Sequence, residues 1–236
     1  MGLGATAHSD ANLYLTNTNS WYAEIMEQAV HPTRTKILNA ALQVIRSKGY
    51  ADTSIDDLCA AAGLTKGGFF HHFKGKEELA LAAAKHFSDG ADQFFAGAPY
   101  NKIEDPLLRL LGYIDFRISI VRGAVPEFTC FLGTTVQETY QTHPALREAC
   151  HTYIWSHAAQ VAKDIALAKE YYAPDAEWSA KGLGLHTQAV IQGSFILAKA
   201  SNGPEIAVES LKHLRRYVEL LFEVPPQEMN ASFRGD

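Results

Sequence analysis

Residues with the types and spacing for chemistry are concentrated in one stretch of this 236-residue chain, GLTKGGFFHHFKGKEEL at positions 63–79. Lys66, Lys74 and Lys76 can neutralise phosphates, Thr65 can cap a helix, and Gly67-Gly68 leave bare backbone between them. Each interior glycine costs a helix ~1 kcal/mol relative to alanine. The pair is therefore expected where backbone must come close to another molecule, or where side chains are unwanted. Lysines beside such a helix start suit nucleic-acid binding better than catalysis.

Other candidate groups point less clearly to chemistry. His71 and His72 are adjacent, and neighbours on a helix diverge by ~100°, so they share one metal ion poorly. His143, His151 and His157 accompany Cys150 in one helical region, but their spacings do not put three ligands on one stripe. No metal or other cofactor is expected. Cys130, in EFTCFLGTTVQE, would sense oxidants or electrophiles only if its pKa were depressed. No Lys, Arg or His lies within five residues of it, so inert packing is expected. An acid–base pair of His157 or His186 with Glu138 is conceivable in an all-helical enzyme, but nothing in the sequence brings these residues together.

These groups need elements to position them. Thr33 opens an amphipathic helix with Ile37, Ala40, Ala41, Val44 and Ile45 on one face, and Gly49 ends it. Ser54 and Asp57 read as a capping box for a second short helix, whose stripe is Ile55, Leu58, Cys59 and Ala62 and whose stop is Gly63. Thr65 caps a third helix in which Phe69 and Phe73, spaced i, i+4, bury against the first two. This order is a helix-turn-helix. A fourth helix starts near Gly75 and runs towards Phe94 or Phe95.

Beyond residue 97 no strand-like alternation occurs, and prolines mark helix starts. Helices are predicted over 105–122, 126–141, 143–171, 176–200 and 204–223, ending before Pro225-Pro226. The fold class is all-α. Residues 1–30 form an extension with an expected short helix from Trp21, 31–75 the helix-turn-helix domain, 76–223 a C-terminal helical domain and 224–236 a tail.

The composition, 47% hydrophobic and 20% charged, allows ordinary packed cores. Three cysteines without CxxC spacing, no apolar run of membrane-spanning length and no signal-peptide pattern suggest a cytoplasmic protein with no membrane partner. The net charge of −5 argues alone against nucleic acid, but Thr33–Lys76 carries seven basic and three acidic residues, leaving −9 on the rest.

The stretch TSIDDLCAAAGLTKGGFFHHFKGKEEL resembles the DNA-binding domain of the TetR family of transcriptional repressors over roughly residues 33–87. The resemblance implies a recognition helix that begins at Thr65, Lys66, Gly67 and Gly68 and enters the major groove of double-stranded DNA. It implies backbone contacts at His72 and Lys76, with Lys74 beside them. Phe70 stands where the family usually has a tyrosine whose hydroxyl holds a phosphate, so that contact is missing here. It also implies an unidentified small-molecule effector, with Phe116, Phe128, Cys130, Phe131, Trp155 and Gln188 as candidate lining residues. LGLHTQAVIQGSFILAKA is similar to the dimerising helices of many members. Leu183, Val190, Phe195, Leu211, Leu214 and Val218 would then form a homodimer interface, the alternative being packing within one chain.

The expected function is a homodimeric repressor that binds a palindromic operator and is released by a small molecule. A ligand-independent helix-turn-helix regulator acting through a protein partner is the alternative, and an all-helical enzyme is a further one.

Overall fold

A computed structural model describes residues 32–224. The expected helix from Trp21, the extension before Pro32 and the tail after Val224 lie outside the described residues. In chain order the helices are α1 (Pro32–Lys48), α2 (Ile55–Ala62), α3 (Lys66–His72), α4 (Lys76–Ala96), α5 (Pro106–Ile120), α6 (Val125–Phe128), α7 (Phe131–Thr139), α8 (Pro144–Tyr172), α9 (Ala180–Ser201) and α10 (Glu205–Leu221). A 3-10 turn, Pro99–Lys102, precedes α5, and no strand occurs among the described residues.

Contacts divide the chain into two units. The first comprises residues up to Gly97 together with Arg122–Tyr153, and the second comprises Ala98–Val121 together with residues from Ile154 onward. This grouping differs from a single cut after residue 75, because α4, α6 and α7 pack in the same unit as the helix-turn-helix.

In the first unit, α1 is the central helix. Ile37, Ala40, Ala41 and Ile45 are buried as the periodicity predicts, and Leu38 and Leu42 are buried too, since α4, α6 and α7 as well as α2 pack on α1. Gly49, at φ 89°, ends α1 in the left-handed region. The Ser54 hydroxyl accepts from Asp57 N and the Asp57 carboxylate accepts from Ser54 N, completing the capping box of α2. Gly63, at φ 65°, closes that helix. Thr65 Oγ1 accepts from Gly68 N at 3.3 Å to cap α3, and Phe69 and Phe73 are each 1% exposed.

Two predicted helix limits differ. The expected helix over 126–141 breaks at Thr129-Cys130, where both residues are extended and Cys130 Sγ caps α7 by accepting from Gly133 N. The helix expected from 176 begins at Ala180, because Ser179 Oγ caps it by accepting from Gly182 N.

The second unit is built on α9 and α10, which pack against each other, with α5 against α10. Arg215 of α10 pairs with Asp115 of α5 at 2.7 Å and with Glu219, so this buried carboxylate has its countercharge.

The Ser54→Ala variant should lose ~1 kcal/mol of stability, measured by urea unfolding. An unchanged midpoint would show that the capping box does not stabilise α2.

Candidate functional site

The exposed start of α3 carries Thr65, Lys66 and Gly67, with Gly68 half-buried behind them. A Cβ placed on Gly67 would meet nothing closer than Thr65 Oγ1 at 3.8 Å, and on Gly68 nothing closer than the same atom at 3.7 Å. Neither glycine has a positive φ. The protein's own packing therefore does not require glycine at either position.

Lys66 Nζ pairs with Asp56 Oδ1 of α2 at 2.9 Å, and both side chains are largely in water. That hydrogen bond and charge raise the Lys66 pKa. An exposed pair exchanges readily for another anion, so Lys66 is available to a phosphate or a base edge. Phe70 is 52% exposed and lies edge-on against Phe69. His72 is half-buried beside His71, and Lys74 is exposed.

Lys76 has a different setting. Its Nζ donates to Tyr50 O at 2.9 Å and Ala51 O at 3.2 Å, and lies 4.4 Å from the centre of the Tyr50 ring. The ammonium therefore ties the start of α4 to the corner between α1 and α2. Glu138 of α7 holds the same corner, its Oε2 accepting from Ala51 N at 2.7 Å, and a side chain on Gly49 would collide with that carboxylate. Thr53 Oγ1 donates to Gly49 O at 2.6 Å, and His143 packs edge-on against Tyr50. Sequence reasoning missed this corner set, because Glu138 and His143 lie more than eighty residues from it along the chain.

Cys130 is half-buried in the first unit, and Arg46 Nη1 reaches the neighbouring Thr129 carbonyl at 3.5 Å. A basic residue is thus near Cys130 in space although none is near in sequence. Burial pushes the Cys150 thiol up to about 12. Among the described residues, no three His, Cys, Asp or Glu side chains group to hold a metal ion.

The six candidate effector-lining residues divide between the units: Phe128, Cys130 and Phe131 belong to the first, and Phe116, Trp155 and Gln188 to the second. The second unit also holds a cluster that the sequence did not reveal. His157 Nε2 stands 2.7 Å from Arg117 Nη2 and 3.0 Å from the Tyr113 hydroxyl, and Arg117 Nε donates to that hydroxyl at 3.0 Å. The i, i+4 spacing of Tyr113 and Arg117 in the otherwise apolar PLLRLLGYIDFRISI was the available signal. Burial, with the Arg117 charge, pushes the His157 pKa down to about 3. Glu138 serves the α1–α2 corner in the first unit and His186 stacks near Tyr217 in the second.

Of the six expected interface residues, Leu183, Phe195, Leu211, Leu214 and Val218 are buried within the chain, and Val190 is half-buried. They form the intrachain packing that the sequence allowed as the alternative. The apolar side chains these two helices leave in water are Ile196, Leu197, Ile206, Tyr217 and Leu220. Gly193, with open space at its Cβ position, lies one turn before Leu197.

The site defines a helix-turn-helix protein whose recognition helix starts bare and basic. The family model described as "Bacterial regulatory proteins, tetR family" matches residues 37–83. The chain is similar to the transcriptional regulator UidR of Escherichia coli K12, 37% identical over 57 residues, which cover 24% of this chain and 29% of that protein. It is also similar to CymR of Pseudomonas putida, 50% identical over 50 residues, covering 21% and 25%. The chain thus spans under a third of the length of these relatives.

Solved structures extend the likeness of fold. A TetR regulatory protein from Rhodobacter sphaeroides superposes with a TM-score of 0.68 at 18% identity, covering 79% of this chain and 99% of that one. A TetR transcriptional regulator from Chloroflexus aurantiacus J-10-FL does so with a TM-score of 0.68 at 27% identity, covering 79% and 93%. Residues 37–83 thus carry the DNA-binding domain of the TetR family of bacterial regulatory proteins, and the fold of the described residues is that of solved TetR-family regulators.

The His157 shift predicts a pH dependence. In the unfolded chain this imidazole takes its proton near its ordinary value of ~6.5, whereas in the folded chain, beside Arg117 and Tyr113, it does so only near 3. Its contribution is fully present above the unfolded value and is lost as pH falls towards the folded one, with a limiting slope of ~1.4 kcal/mol per pH unit. Urea unfolding from pH 7 to 4 should show a steeper loss in wild type than in His157→Gln. Parallel curves would contradict this assignment.

Proposed function

We propose that the chain is a homodimeric transcriptional repressor that binds an inverted-repeat operator through α3 and is released by a small molecule bound in its second unit. The observation that carries the reading is the start of α3, where a capped helix presents Lys66 and two glycines that internal packing does not require. Its positive dipole end suits phosphate, and Thr65 and Lys66 stand where a recognition helix meets base edges. With no side chains at Gly67 and Gly68, recognition rests on few hydrogen bonds, contact with thymine methyls and DNA shape. Likeness to the TetR family over residues 37–83 supports regulation and not enzymatic turnover.

Two-fold symmetry of the operator requires a two-fold protein. Ile196, Leu197, Ile206, Tyr217 and Leu220 supply the unspent apolar face for it, two helices from each chain forming a four-helix contact. A ligand that favours a conformation with the recognition helices wrongly spaced for successive major grooves would lower DNA affinity by that differential binding. Operator selection from random DNA, followed by footprinting, tests the reading. It is expected to yield an inverted repeat with half-sites about one turn, ~34–36 Å, or a multiple apart, whereas a single half-site bound by a monomer would contradict it.

Stability and DNA binding should separate in Gly68→Ala. The variant is expected to melt at the same or a higher temperature, since alanine suits a right-handed helix and finds room there. Operator affinity should fall about tenfold, ~1.4 kcal/mol. Unchanged affinity in a stabilised variant would show that the glycines do not serve close approach.

The double variant Ile196→Glu/Leu220→Glu should sediment as a monomer and lose the full-operator footprint while keeping its helical circular dichroism. A dimer that survives both substitutions would place the interface elsewhere.

A further inference from the structure

The segment from Thr33 to Lys76 carries seven basic side chains, and most of them are already held within the chain. Arg46 donates to the carbonyls of Leu42, Glu127 and Thr129, and Lys48 pairs with Asp57 at 2.8 Å. Lys66 pairs with Asp56, and Lys76 is held by the carbonyls of Tyr50 and Ala51. Among the described residues, the cationic groups of Arg34, Lys36 and Lys74 have no carboxylate and no hydrogen-bond acceptor.

Arg34 is set apart by its position. Its Cζ lies 4.9 Å from the centre of the Phe73 ring, and Phe73, 1% exposed, is the C-cap of α3. Helix α1 thereby delivers a guanidinium to the end of α3 opposite Thr65 and Lys66. The ring attracts the cation through its face and restricts where it can move, while offering its N–H donors no oxygen. Lys74, the residue after Phe73, is exposed at the same end. Lys36 stands two residues beyond Arg34, about 200° round the helix, and so leaves α1 on the other side. Two acids are placed close to this end, and each has another partner. Asp89, whose charge acts with that of Arg34 on His86, pairs with Lys85 at 2.6 Å, and Glu78 accepts from Lys74 N at 2.7 Å.

The seven residues of α3 span ~10 Å, and the major groove is ~12 Å wide. With Thr65 and Lys66 at the base edges, the opposite end of α3 comes to the wall of the groove, where the phosphates stand. We infer that Arg34 is a phosphate-binding residue of the DNA interface, its guanidinium seated on Phe73 and holding one phosphate that flanks the half-site, with Lys74 as a second cation at that end of α3. The inference rests on the proposed reading of α3 as a recognition helix. The planar fork of a guanidinium matches phosphate oxygens. An arginine that only shielded Phe73 would do so with its stem, and its charge would not matter to DNA.

Arg34→Met separates the two roles, since it keeps an unbranched stem over Phe73 and removes the charge. The full chain is titrated with a selected operator and with a duplex of unrelated sequence over a range of salt concentrations. The variant should bind both duplexes several-fold more weakly and lose about 0.9 from the slope of log affinity against log salt, while selecting the same bases. Arg34→Gln should behave alike, and Arg34→Lys should keep the wild-type slope. A scan that replaces the operator phosphates one at a time by neutral methylphosphonate should find a position at which wild type loses affinity and Arg34→Met does not.

A wild-type salt slope in folded Arg34→Met and Arg34→Gln would overturn the inference and leave Arg34 as cover for Phe73. Loss confined to one base position, or the absence of any phosphate whose neutralisation spares Arg34→Met, would overturn it as well. A wild-type chain that binds neither duplex at low salt would overturn the reading of α3 itself, and this inference with it.

Discussion

The six-residue corner between α1 and α2 is the constraint on which the first unit depends. A loop this short leaves backbone donors and acceptors that no helix satisfies, and two distant elements and one corner residue satisfy them. Glu138 of α7 accepts from Ala51 N, Lys76 at the head of α4 donates to the carbonyls of Tyr50 and Ala51, and Thr53 closes on Gly49 O. Gly49 is fixed twice over, by its positive φ and by the Glu138 carboxylate where a side chain would stand. The direction in which α2 leaves this corner bears on where α3 lies, because α3 packs on α2 and buries Phe69 and Phe73. The helix-turn-helix, α4 and α7 thus share a joint made of a few hydrogen bonds.

This joint gives Lys76 a structural role. The family resemblance implies a phosphate contact there, and the ammonium of this chain already has two carbonyls and an aromatic face. Lys66 is the more available cation of the two, since its pair with Asp56 is exposed and weak in water. In the proposed function Asp56 then acts as a stand-in for phosphate, holding Lys66 over the start of α3 until DNA replaces it.

What was legible in the sequence was local. Ser54 with Asp57, Gly63, Thr65 and the Phe69–Phe73 pair each act within four residues, and the structure has them in the predicted roles. Less legible was anything decided by the other side of a helix. Leu183, Phe195, Leu211, Leu214 and Val218 read as an interface because they are the strongest apolar positions, but the strongest positions went first to the chain's own core. Leu220 and Ile196 were left outside, and nothing in their residue types marks them as such. Long-range polar contacts were hidden for the same reason: Glu138 and Arg117 look like ordinary surface charges until tertiary structure supplies their partners. The break at Thr129-Cys130 was equally hidden, since a cysteine cap is not among the usual helix-start signals.

The claim that the α1–α2 corner positions the recognition helix is tested most directly by the affinity of Glu138→Ala for a selected operator over a range of salt concentrations. Glu138 lies on α7 and not on α3, and removing its negative charge would by itself tighten binding to DNA. The account predicts the opposite: affinity falls several-fold or more because the corner loosens, while the salt slope is unchanged because the same phosphates are neutralised. Affinity equal to or above wild type in a folded variant would contradict it.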